Sequence, residues 1–379
     1  MRWCVVALLA SSTLWAADEQ QLALERRAQA DFDRVEMAAT PSLSDTEACL
    51  QSQAAWLAVA PATGWARVHY RKGYCTLAGA AITRSPAAFQ EAAGQFDWAG
   101  GAGLLAALAR LNANAGDEAE LRQAVAQPGC QCEAALEAAR QWLGWMELAR
   151  GNLVGAAREF QATPAAGWQH YVAGRQAFDR RQYREAMSDY RTAIDAWDQE
   201  RRRQAPGLFD RLKPRPEVGD ALVRLGGAEL LAGDAAAAVA TLDRALKTDD
   251  STARAYYLRA RAHELESRTD LALADYNLAS RAAFASARDL ASGEAHLYRG
   301  ILFYRRQDFS RAENEFSSAL NFNIAPDMQA DAVAWRHLAA VAAGACQASR
   351  EALGRALGTV SPYFPSQEAV SRMNACPAS

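Results

Sequence analysis

The side chains able to do acid, base, nucleophile or metal chemistry are thinly spread in this sequence. Five histidines, His69, His170, His263, His296 and His337, stand far apart. His263-Glu264 opens like a His-Glu-x-x-His zinc helix, but the second histidine is missing. No Gly-x-Ser-x-Gly elbow, phosphate loop or dinucleotide fingerprint occurs. Carboxylates are many, at spacings that suit helix surfaces and caps. A lone catalytic Glu needs no local signature, so a hidden acid stays formally open. The residues point to no catalytic group, no metal site and no cofactor, and so to a chain that is not an enzyme.

The cysteines carry a different message. Setting Cys4 aside, six remain: Cys49, Cys75, Cys130, Cys132, Cys346 and Cys376. An even number in an exported chain suggests disulfides. Locality favours Cys49–Cys75 and Cys346–Cys376, each linking elements that would form a helical hairpin. Loops of that size stabilise by roughly 3–4 kcal/mol in the chain-entropy account. For Cys130-Gln131-Cys132 a direct bond would be strained, and a metal site lacks a nearby His or second Cys pair. Structural, redox and metal uses stay open there.

Export is suggested by the first residues. Arg2 precedes the apolar stretch Trp3–Leu9, then Ser11-Ser12-Thr13, then Trp15-Ala16-Ala17 before Asp18-Glu19. That is the layout of a cleavable secretory signal over 1–16, cut after Ala16 or Ala17. The apolar run is short for a membrane span, and an uncleaved anchor is the alternative. Lysine occurs only at Lys72, Lys213 and Lys247 against abundant Arg, Ala and Gly, which points to GC-rich codons. With no Asn-x-Ser/Thr sequon, a bacterial periplasm or exterior fits best. The net charge of −3 offers no basic field for nucleic acid.

The elements that must position all this repeat. Gly226, Ala238 and Ala245 recur 34 residues on as Ala260, Ala272 and Ala279. Looser copies hold Gly144, Gly151-Asn152, Ala156 and Phe160; Gly174, Tyr183, Ala186, Tyr190 and Ala193; and Gly300, Phe309, Ala312, Phe316 and Ala319. Small residues at Gly174, Ala186, Gly226 and Ala238 let two helices approach closely, while Tyr190, Leu242, Tyr276 and Phe316 fill the space between. Gly233-Asp234 and Gly151-Asn152 read as a helix stop followed by an N-cap. The pattern resembles the tetratricopeptide repeat over roughly 137–325. It implies an all-α solenoid of five helical hairpins.

Breaks in register mark insertions. The largest falls near 199–216, with Arg201-Arg202-Arg203 and Lys213-Pro214-Arg215-Pro216. It reads as a loop behind a lengthened helix, either a solvated insertion or a contact arm for an acidic partner. Residues 17–136 read as a helical region of degenerate repeats, with helices over Asp18–Ala38 and Asp45–Ala60. Residues 326–379 read as a helical cap, with helices over Trp335–Gly344 and Ser349–Gly358.

In the resembled family, positions 2, 5, 9, 12 and 13 of the first helix line the concave face. Carried over, they select Trp168, Tyr171, Arg175, Phe178 and Asp179; Val223, Gly227, Leu230 and Leu231; Tyr257, Arg261, Glu264 and Leu265; and Glu294, Leu297, Ile301, Tyr304 and Arg305. The resemblance thus implies a groove for an extended, partly acidic peptide, read by Tyr171, Arg175, Tyr257, Arg261, Tyr304 and Arg305. Positions 5 and 9 lack the Lys and Asn of the family's chaperone-tail clamp. The function implied is an exported scaffold for protein segments or an envelope complex. The alternatives are the helical arm of a cell-wall enzyme such as a lytic transglycosylase, or a passive spacer.

Overall fold

The computed structural model describes residues 19–100, 103–127, 133–202, 206–248, 253–283, 291–322 and 324–376. The signal segment 1–16, Cys4, Cys130, Cys132 and Arg203 lie outside the described residues. Among those described, one turn of 3-10 helix at Ala62–Gly64 aside, every regular element is an α-helix. They are α1 (Glu19–Met37), α2 (Leu43–Leu57), α3 (Trp65–Thr83), α4 (Pro86–Ala99), α5 (Gly103–Asn112), α6 (Glu118–Ala126) and α7 (Glu133–Ala149). Next come α8 (Leu153–Gln161), α9 (Ala166–Asp179), α10 (Tyr183–Arg202), α11 (Leu208–Leu212), α12 (Val218–Leu231) and α13 (Ala235–Ala245). The last are α14 (Ala253–Leu265), α15 (Thr269–Ala283), α16 (Ala291–Arg305), α17 (Phe309–Asn321), α18 (Pro326–Ala342), α19 (Cys346–Ala356) and α20 (Ser366–Asn374).

The chain forms two compact units. The first takes in the described residues up to Ala173 together with Asp195–Pro216; the second holds Gly174–Ile194 and everything described from Glu217 on. This division runs through α9 and α10, inside the array expected over 137–325.

In the first unit, α1 buries Ala28, Phe32 and Val35, spaced four and three apart on one face. A capping box opens α2, with Ser42 and Asp45 each bonding the other's backbone N–H at 3.2 Å. Ser85 caps α4 and Pro86 occupies its first turn. Phe32, Tyr74, Phe89, Phe96, Leu104, Leu105 and Leu108 form the core, and a disulfide joins Cys49 of α2 to Cys75 of α3. The insertion does not stand free. It folds as α11 against α3 and α7, with Leu208 and Leu212 buried and the Leu212 carbonyl accepting from Trp142 Nε1 at 2.7 Å.

The second unit is a series of hairpins: α12 with α13, α14 with α15, α16 with α17, and α18 with α19. Along the series α12 touches α14, α14 touches α16 and α16 touches α18, whereas α13, α15 and α17 make no comparable contact with one another. First helices that lie closer together than second helices make the first-helix side of this unit the inner, concave one. The closing segment holds a helix, α20, beyond the two expected there. It is anchored by buried Ala369 and by a disulfide between Cys346 and Cys376.

Candidate binding face

One turn recurs at the end of each first helix. Gly151, Arg181, Gly233, Ser267, Gln307 and Gly344 all adopt positive φ, between 60° and 97°. The N–H of the residue after each bonds a carbonyl five residues back: Asn152 to Glu147, Gln182 to Ala177, Asp234 to Glu229, Arg268 to His263, Asp308 to Phe303 and Ala345 to Ala340, at 2.8–3.0 Å. These are Schellman closures of one type. Asn152, Asp234 and Asp308 then cap the second helix through their side chains.

Seven residues before each of the first five turns a small residue meets a large one sixteen further on. A Cβ on Gly144 would come within 2.7 Å of Phe160, on Gly174 within 2.8 Å of Tyr190, on Gly226 within 2.6 Å of Leu242 and on Gly300 within 2.6 Å of Phe316. Ala156, Ala186, Ala238, Ala272 and Ala312 are wholly buried beneath the same crossings. Small residue, crossing alanine, large filler and turn keep one order in every one of these hairpins. In this order the hairpins resemble the tetratricopeptide repeat. The geometry adds a sixth to the five expected: α18 and α19 carry His337, Ser349, buried Leu353 and Ala356 at the corresponding places, closed by Gly344.

No family model matches this chain, and no curated protein does. Among solved structures it is similar to BtubC from P. vanneervenii, at 18% identity and TM-score 0.41 over 69% of this chain and 95% of that one. It is also similar to a tetratricopeptide repeat protein from Parabacteroides merdae, at 15% identity and TM-score 0.38 over 76% and 98%. A third similarity is to the P58(IPK) TPR domain, at 12% identity and TM-score 0.30 over 93% and 97%. The repeats themselves are assigned on the internal register of small residue, filler and turn.

The tyrosines expected to line a groove lie inside the repeats instead. Tyr171, in the first unit, is 1% exposed and packs on Trp168 and Trp197. Tyr257 is buried against Tyr276 and Tyr298, with ring centroids 6.2 and 6.0 Å away. Tyr304 is buried on Trp335 and donates its hydroxyl to Glu368 at 2.7 Å. The residue at position 5 or 12 is drawn inward because neighbouring helices close over it.

The arginines divide. Arg175 is half-buried, and its charge acts on Tyr190. The Arg261 guanidinium lies 3.8 Å from the Tyr298 ring centroid, and its Nε is 3.3 Å from a Glu264 oxygen. Burial opposes that charge, but the surrounding tyrosines and Glu264 outweigh burial and hold Arg261 protonated. Glu264 also accepts from the Tyr276 hydroxyl and faces Arg305 at 3.7 Å. Burial keeps Tyr257 and Tyr276 neutral, so Tyr276 acts as a donor. Thus Arg261 and Arg305 gather around one carboxylate, and Tyr257 packs against Tyr276 and Tyr298, which complete the cluster. Sequence reasoning misses those last two. Tyr276 reads only as a space filler, and Tyr298 falls outside the family's surface positions.

Two of the positions expected to line the concave side are apolar and exposed. Leu231 and Leu265 are 54% and 60% exposed, and they occupy the same repeat position on the touching helices α12 and α14. At that position on α16 stands Arg305, with its side chain 67% exposed. Several histidines are partnered in the fold: His263 lies near Asp275, His296 bonds Glu315 at 2.8 Å and His69 bonds Gln95 at 2.7 Å. Among the described residues no group of three His, Cys, Asp or Glu could hold a metal, and no helix is long and apolar enough to cross a membrane.

Proposed function

We propose that this chain is a protein-interaction scaffold and that the concave side of its second unit takes an extended protein segment. The observation that carries the reading is the paired exposure of Leu231 and Leu265. Large apolar side chains left in water one repeat apart, on touching helices, suit alternate side chains of an extended ligand. Arg305 adds a charge-assisted reader at the next position. Glu264 already draws on Arg261 and Arg305, and Arg254 faces Glu294 at 3.8 Å, so the acidic component of the ligand is modest.

The test is a photo-crosslinking amino acid placed at 231, at 265 and, as control, at 278. Leu278 is exposed at 41% but belongs to a second helix. One partner captured from 231 and 265 and not from 278, and lost in Leu231→Asp/Leu265→Asp protein of unchanged helicity, supports the reading. Equal capture from all three positions removes it. We further propose that the protein is exported. The signal-like N-terminus supports this, and two disulfides fit an oxidising compartment. N-terminal sequencing should find a chain starting after residue 16 or 17; one that begins at Met1 would contradict it.

A further inference from the structure

The first unit carries a cluster of positive charge that no carboxylate among the described residues answers. Arg84 ends α3 in the left-handed conformation, with φ 56°. Its guanidinium reaches across and donates to the backbone carbonyl of Arg211 in the insertion. Arg211 in turn bonds the Pro206 carbonyl through Nε at 3.2 Å. Arg215 stands between Pro214 and Pro216, which fix the backbone on both sides of it. Arg84 and Arg215 are exposed and Arg211 is half-buried. Burial, then the charges of Arg215 and Arg211, push the Arg84 pKa down. The Arg84 guanidinium therefore stands in the field of two like charges on the segment that it bonds.

The neighbouring acids are already engaged. Asp210 bonds Lys213 at 2.8 Å and the Gly207 N–H at 3.2 Å, and Glu137 bonds Lys213 at 2.7 Å. Among the described residues no carboxylate lies within ion-pair distance of Arg84, Arg211 or Arg215. The segment is also rigid. Leu208 and Leu212 are buried, and the Leu212 carbonyl accepts from Trp142 at 2.7 Å and from Asn112 at 3.3 Å. Pre-positioned cations lose little freedom on meeting a ligand.

We propose that Arg84, Arg211 and Arg215 form an anchoring site for successive carboxylates on an acidic segment of a partner protein. Arginine donors pair carboxylates bidentately, and each of these three keeps unused N–H groups. Lys213, between Arg211 and Arg215, is extended, so these two arginines are set apart along the chain rather than on one helical turn. That spacing matches carboxylates borne along a peptide better than a single tetrahedral anion. A membrane surface calls for a larger basic cluster than three, and here Lys213 is neutralised by two acids. The site is independent of the leucine face of the second unit.

The test uses the full chain and a fluorescein-labelled hexaglutamate peptide, followed by anisotropy at low salt. Wild type should bind, with affinity that falls as salt rises. Arg211→Ala/Arg215→Ala should weaken binding at least tenfold at unchanged melting temperature. Arg215→Glu, a change at an exposed side chain, should do the same if the double variant folds poorly. Arg355→Ala, on α19, should leave binding as it was. Failure of wild type to bind, or retention of affinity within twofold by both variants, overturns the proposal. So does competition by millimolar inorganic phosphate with the same arginine dependence, which would mark a small-oxyanion site. Arginine-dependent binding to phosphatidylserine vesicles without binding to hexaglutamate overturns it in favour of a lipid surface.

Discussion

At the scale of single residues, the repeat is written in close approaches, and two adjacent glycines show it. Gly226 faces Leu242, where a Cβ would stand 2.6 Å from Cγ, while at Gly227 the nearest foreign atom is Leu258 Cδ1 at 3.5 Å, an ordinary contact. Gly226→Ala should therefore cost about 1–3 kcal/mol by overpacking. Gly227→Ala should gain up to about 1 kcal/mol, because alanine is the better helix former. Urea unfolding of the two variants checks this, and equal effects would deny the tight crossing at 226. The same scale explains why the arginines make poor probes of binding. Arg261 rests on Tyr298 and faces Glu264, so removing it disturbs the fold before it reports on a ligand. Leu231 and Leu265, with more than half their surface in water, are the cleaner test.

At the scale of elements, the left-handed turns decide how much is legible in the sequence. Gly151-Asn152 and Gly233-Asp234 announce their turns, because glycine tolerates positive φ and Asn or Asp caps the next helix. Ser267, with φ 60°, and Gln307, with φ 64°, sit at the same place with no such mark. Their hairpins show in the sequence through Ala260, Ala272 and Ala279 and through Gly300, Ala312 and Phe316, and not through the turn. Ser267→Gly and Gln307→Gly should each gain about 0.5–1 kcal/mol, since relief of the left-handed strain exceeds the entropy glycine adds to the unfolded chain. Thermal melts would show it; a loss of stability at both sites would contradict the turn geometry. The hairpin of α18 and α19 escapes the repeat pattern because His337 and Ser349 replace the usual small residues. Helix α11 reads as loop because a five-residue helix has no period to detect. The tyrosines elude the pattern for another reason. A family position gives the direction of a side chain on its own helix, but burial depends on the next helix, and Tyr298 of α16 is what covers Tyr257.

At the scale of the whole molecule, titration should expose how the repeats are tied together. The Arg150 and Arg122 side chains hold Glu118 below its ordinary range, and the Ser42 cap does so for Asp45. Burial pushes Glu315 and Glu368 up, but bonds from His296 and Arg299, and from Tyr304 and Arg372, outweigh it and leave both lowered. A carboxylate lowered in the fold stabilises above its unfolded value and loses that contribution as pH falls through the folded one. Glu36 runs the other way, raised by burial and then Asp33, and it opposes the four only in part. Stability should therefore drop below about pH 4.5, the ordinary glutamate value. His337 adds an earlier step. Burial, then Arg336 and Arg355, depress its pKa, so the unfolded chain binds its proton more readily. Its contribution is present at neutral pH and declines as pH falls through 6.5, the unfolded value, toward the folded one. Melting temperature measured from pH 8 to 3 should fall in two stages. His337→Gln should flatten the upper stage and leave the lower one intact. An upper stage that persists in the variant would assign it to another group; its absence in wild type would mean that the sixth hairpin leaves this imidazole free to protonate.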